Sequence, residues 1–160
     1  MLFFNACAQL ETNQSLELVK KVSSNMPKSF LSYPRLSTSL LDALIKCGDC
    51  LRAEEMFQNM NKSVKEYGNL MNGFNKMNQP EKTLNLFHQM QIDSIEADLI
   101  TYLCLIKALA QIGILSMSEK LIEHIPLNFL KNPLIQNALI DMWVSSIESD
   151  FSIIFHLSFV

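Results

Sequence analysis

An internal period constrains this chain more than any other feature. An apolar pair at Leu40-Leu41 recurs at Leu70-Met71, Leu105-Ile106 and Leu139-Ile140, in steps of 30, 35 and 34 residues. Two positions after the pair stands a small residue, Ala43, Gly73 or Ala108, and a turn follows as CGD, MNQP or IGI. A second apolar set then begins: Ala53-Phe57-Met60, Thr83-Phe87-Met90 and Ser118-Ile122-Ile125. Offsets of four and three put each set on one face of a helix. Each unit therefore reads as a helix, a short turn and a second helix, expected at 36–46 with 49–60, 66–76 with 80–90, and 100–111 with 115–125. The small residues let the two helices of a hairpin approach closely. One hairpin cannot bury its apolar face alone, so neighbours must stack in order. The stretch NACAQLETNQSLELVKKV reads as an earlier, poorer copy, with Ala6 in the small position and Ser15, Val19 and Val22 on the second helix. An ordinary bundle with similar hairpins is the competing reading, and four copies in step argue against it.

Composition agrees with an all-α, stacked array. At 160 residues and 49% hydrophobic, the chain has enough apolar material for a core and is not a disordered segment. Four glycines and five prolines are few for a loop-rich β-protein. The net charge of −3 gives no general attraction for nucleic acid, although a local basic groove is still allowed. The opening residues MLFFNACAQLET show neither a secretory signal nor an arginine-rich presequence, and no run reaches the 18 or so apolar residues that a membrane helix needs. No membrane association is expected.

Cys47 and Cys50 form a Cys-x-x-Cys, which could mean a redox pair, half a metal site or a turn. A thioredoxin-type pair follows a strand in a βαβ unit, and none is visible. A zinc site needs two more ligands at suitable spacing, whereas His88, His124 and His156 lie far along the chain. In the repeat register Gly48 stops the first helix and Asp49 caps the second. The turn reading is therefore preferred, with Cys50 starting a helix so that serine there would be nearly neutral. Reduced thiols, no metal and no cofactor are expected. The sequence holds no phosphate-cradling glycine loop, no G-x-S-x-G and no H-E-x-x-H, so no catalytic residue is assigned.

The stretches STSLLDALIKCGDCLRAEEMFQNM, YGNLMNGFNKMNQPEKTLNLFHQMQIDSIEADLITY and NPLIQNALIDMW resemble pentatricopeptide repeat proteins. The resemblance is closest to the class whose repeats alternate in length, as in plant organellar editing factors, and covers roughly residues 2–145. It implies a right-handed α-solenoid of stacked antiparallel helical hairpins that binds single-stranded RNA, one base per repeat. The units would be a degenerate, truncated repeat at 1–33, a short repeat at 34–63, a standard repeat at 64–98, a repeat at 99–132, and the first helix of a partial repeat at 133–145. Residues 146–160 read as a non-repeat tail, for which a truncated or mis-joined gene is one explanation.

In the family, a polar residue early in the first helix reads the base together with the last residue of the repeat. The positions that match are Thr38 with Ser63, Gly68 with Asp98, Leu103 with Asn132, and Asn137 without a partner. Gly68 and Leu103 depart from the polar pattern. The base-sandwiching positions would be Arg35, Lys65, Ile100 and Leu134, of which Ile100 and Leu134 are apolar as expected. Beside this stands a plainer reading, in which Thr38 and Asn137 are polar residues at helix starts and Asp98 caps the next helix. The chain is expected to be a monomeric module of a larger RNA-processing or editing factor. The alternative is a protein-interaction scaffold of the tetratricopeptide-like type, with a partner protein in place of RNA. A basic groove would favour RNA and a mixed-charge groove would favour protein. A deaminase-like domain would show His-x-Glu with Pro-Cys-x-x-Cys, and neither occurs here. The family implies a mitochondrion or plastid, but no targeting segment supports either.

Overall fold

The structure is a computed structural model. It describes residues 2–10, 12–27, 29, 32–113, 120 and 122–158, with side chains as far as 147. Among the described residues there are helices, turns and short connections, and no strand. The chain divides into two units, Met1–Met77 and Asn78–Val160.

The first unit holds α1 (Leu2–Leu10), α2 (Asn13–Ser24), α3 (Pro34–Lys46), α4 (Cys50–Gln58) and α5 (Val64–Lys76). The first helices α1, α3 and α5 pack side by side in chain order, α2 lies against α1 and α3, and α4 lies against α3 and α5. These are the stacked hairpins that the period implies. The residues that carry the period are the ones buried: Leu40, Leu41 and Ala43 on α3, Ala53 and Phe57 on α4, and Leu70, Met71 and Gly73 on α5. The Phe57 ring meets Tyr67 edge-to-face at 4.8 Å between centroids, tying α4 to α5.

The small residue at Gly73 serves a contact between hairpins, where the period has it bringing together the two helices of its own hairpin. A Cβ built on Gly73 would lie 2.6 Å from Ile45 Cγ2 and 3.3 Å from Cys50 Sγ, so the backbone of α5 touches both helices of the preceding hairpin. Cys50 starts α4 as expected and, 2% exposed, also fills that contact. The first copy also departs from expectation. Ala6 is exposed, and Phe4, Cys7 and Ala8 are the buried residues of α1. Helix α1 packs against α3, and the Cys7 carbonyl accepts from Cys47 Sγ at the end of α3. On α2, Ser15 and Val19 are buried as expected, whereas Val22 is 37% exposed.

The turn at Cys47 and Cys50 is a Schellman motif. Gly48 takes φ +87°, its N–H donates to Ile45 O at 3.1 Å, and the Asp49 N–H donates to Leu44 O at 2.8 Å. Asp49 then caps α4 by accepting from the Arg52 N–H at 3.3 Å, and it lies 3.7 Å from Lys20 Nζ on α2.

The second unit holds α6 (Pro80–Ile92), α7 (Leu99–Ile112), the single turn α8 (Leu127–Leu130) and α9 (Pro133–Ser158). Helix α7 packs between α6 and α9 around Tyr102, Leu105, Ile106, Leu109, Ile125, Ile135, Leu139 and Met142. Most of the expected helix 115–125 falls outside the described residues, Ser118 included; residues 122–124 are helical and Ile125 is 4% exposed. Helix α9 runs on to Ser158, past residue 145 where the repeat resemblance ends. No helix among the described residues is long and apolar enough to cross a membrane.

Candidate nucleic-acid interface

Two of the expected reading positions meet on one carboxylate. Ser63 caps α5, and Glu66, three residues on, completes a reciprocal capping box. The Ser63 N–H donates to Glu66 Oε2 at 3.1 Å and the Ser63 hydroxyl donates to the same oxygen. The other oxygen, Oε1, accepts from the Thr38 hydroxyl of α3 at 2.8 Å. Glu66 is 5% exposed, so this carboxylate is a built part of the α3–α5 contact rather than surface charge. A groove beside it is lined by Arg35, Thr38, Asp42, Lys65, Glu66 and Asn69. Its charge is mixed. Both acids are engaged, Glu66 as above and Asp42 with Lys46 at 3.0 Å. Among the described residues neither Arg35 nor Lys65 forms an ion pair, and both are exposed.

The remaining positions are placed differently. Gly68 is buried on α5 in the first unit, while Asp98 lies in the second unit and caps α7. The Asp98 carboxylate accepts from the Thr101 N–H at 2.9 Å and from the Thr101 hydroxyl at 2.8 Å. Leu103 is half-buried and packs against the core of the second unit, which accounts for an apolar residue there. Asn132 accepts the Leu134 N–H at 2.9 Å and so turns the chain into α9, where Asn137 is exposed. Ile100 and Leu134 are 53% and 57% exposed, so two apolar side chains stand in water at the starts of α7 and α9.

Glu66 was not among the residues expected at the site. The signal for it is present in the sequence as S-V-K-E at 63–66, the spacing of a capping box.

The cysteines are free thiols: Cys7, Cys50 and Cys104 are buried and Cys47 is half-buried, its Sγ donating to Cys7 O at 3.7 Å. Burial pushes the Cys104 thiol up to about 11, with Lys107 lowering and Asp98 raising it by smaller amounts. Among the described residues no three His, Cys, Asp or Glu side chains are grouped to hold a metal ion.

Comparison with known proteins agrees with this architecture. Two family profiles match, a PPR repeat over residues 36–63 and the PPR repeat family over 62–111. The chain belongs to the pentatricopeptide repeat family. Among its relatives, pentatricopeptide repeat-containing protein OGR1, mitochondrial, of rice (Oryza sativa subsp. japonica) is 32% identical over 117 residues, 68% of this chain and 20% of OGR1. Pentatricopeptide repeat-containing protein At3g03580 of Arabidopsis thaliana is 29% identical over 141 residues, 86% of this chain and 16% of its own length. The pentatricopeptide repeat protein PPR10, solved in complex with an 18-nt RNA element, superposes with a TM-score of 0.67 at 21% identity, covering 88% of this chain and 22% of PPR10. That likeness shows the fold, the right-handed α-solenoid of stacked antiparallel hairpins. The chain spans about a fifth of the length of the relatives it matches.

Proposed function

We propose that this pentatricopeptide repeat chain binds single-stranded RNA along its first helices, one base per repeat, as a module of a larger RNA-processing or editing factor. The observation that carries the reading is the convergence of Thr38 and Ser63, the family's two reading positions for the 34–63 repeat, on the Glu66 carboxylate beside a groove. Arg35 and Lys65 line the same groove and supply two cations for phosphate. PPR10, a relative in fold, is itself solved with RNA. Two of the relatives are named as mitochondrial, which supports an organellar setting. We assign the chain no reaction.

Affinity of the isolated chain is expected to be weak. Stacking and edge contacts are worth about 1–3 kcal/mol per base, so three repeats yield roughly 3–9 kcal/mol in gross terms. Association costs an estimated ~4–15 kcal/mol of lost freedom. Gly68 and Leu103 offer no polar group for reading, and the net charge of −3 adds no long-range attraction. The experiment is an anisotropy titration against a random single-stranded RNA pool across a salt series. Weak binding is expected, with a log–log salt slope that becomes shallower by about 1.4 in the Arg35→Ala, Lys65→Ala double variant, since two phosphate contacts are lost. The groove's mixed charge is the outcome that favours a protein partner, so the RNA reading stands on the family positions, on Arg35 and Lys65 and on the likeness to PPR10, and not on groove charge. Absence of any salt-dependent RNA binding would move the reading to the scaffold.

A further inference from the structure

We infer that Glu66, not Ser63, supplies the second base-reading group of the 34–63 repeat, and that Thr38 and Glu66 together select a base whose edge donates two adjacent hydrogen bonds. This rests on the RNA-binding reading above and deepens it.

The argument starts from proton bookkeeping at the α3–α5 contact. The Thr38 hydroxyl has one hydrogen and two acceptors at 2.8 Å, Glu66 Oε1 and Pro34 O. A bond to a carboxylate is charge-assisted and is the stronger of the two, so the hydrogen goes to Glu66. Thr38 Oγ1 then presents only lone pairs. The Ser63 hydroxyl is committed in the same way to Glu66 Oε2, which also accepts the Ser63 N–H. Three donated bonds leave the carboxylate with acceptor capacity to spare, because its two oxygens offer about four lone-pair sites. Thr38 and Glu66 both line the groove, so what they offer there are acceptors, side by side. Of the four RNA bases only guanine places two donors next to each other on its pairing edge, N1–H and the N2 amino group. Adenine, cytosine and uracil each set an acceptor against one of the two.

The second unit shows the same device with its parts exchanged. At α7 the carboxylate is the last residue of the repeat, Asp98, and the hydroxyl is Thr101, three residues on. At α5 the hydroxyl is the last residue, Ser63, and the carboxylate is Glu66, three residues on. The exchange keeps the helix capped but carries the acid one turn into α5, where it reaches Thr38. Ser63 is then a positioning residue that holds Glu66 in place.

The test is sequencing of RNA retained by the full chain from a random single-stranded pool, with total retained RNA measured on the same filters. The parent chain should enrich guanine about fivefold at one position of the bound register, the low end for a two-bond edge contact. Glu66→Gln replaces an acceptor by an amide donor and should abolish that enrichment, while Ser63→Ala should keep it. Circular dichroism reports whether Glu66→Gln still folds. If it does not, Thr38→Val removes the Thr38–Glu66 bond without touching the capping box, and should lose the enrichment too. Loss with Ser63→Ala and retention with Glu66→Gln would overturn the inference and restore Ser63 as the reader. RNA retained without guanine preference by the parent chain would overturn it while leaving RNA binding intact. No retained RNA at all would overturn both.

Discussion

At the scale of single residues, burial decides which groups can react. Cys104 is buried on α7 with its thiol raised to about 11 from the ordinary 9.0. Almost none of it is thiolate near neutral pH, so a thiol reagent at pH 8 should label half-buried Cys47 first and Cys104 only on unfolding. Linkage sets a second expectation. The unfolded chain loses the Cys104 proton at lower pH than the folded chain, so folding stability falls as pH rises from about 9 to about 11. Tyr102, also raised by burial, adds to the fall above 10.0. Denaturant titrations across this range check the sign, and Cys104→Ala should flatten the slope. Residue identity foretold part of the site. Asp98 caps α7, one of the two readings its place in the sequence allowed. Glu66 escaped notice because a repeat register assigns readers by position, whereas its importance comes from a hydroxyl 28 residues away on a neighbouring helix.

At the scale of the helices, close approach is the governing fact. Gly73 has no room for a methyl group between Ile45 and Cys50. Gly73→Ala should destabilise the first unit by about 1–3 kcal/mol despite the gain in helix propensity, as thermal or urea unfolding would show. A neutral or stabilising result would mean that α5 shifts away from α4 at little cost. The helices of the first unit were legible because the apolar period is long and the turns carry glycine and a capping aspartate. The register of α1 was not, since Ala6 and Ala8 are chemically alike and packing against α3 chooses between them. The length of α9 was also illegible: the residues beyond 145 carry no repeat pattern, yet helical backbone continues to Ser158.

At the scale of the whole molecule, the proposal is that stacked hairpins present their first helices to RNA. The fold class was readable from four copies of one pattern, because each copy makes sense only when stacked. The path of a ligand was not, because Gly68 brings no polar side chain, Leu103 packs against a core and Asp98 is engaged as a helix cap. The most direct measurement is photocrosslinking of the full chain to single-stranded RNA carrying 4-thiouridine, followed by mapping of the crosslinked peptides. The account predicts crosslinks on α3 and α5, clustered about Arg35, Thr38, Lys65 and Asn69. Crosslinks confined to the second helices, such as residues 50–58 of α4, would contradict it.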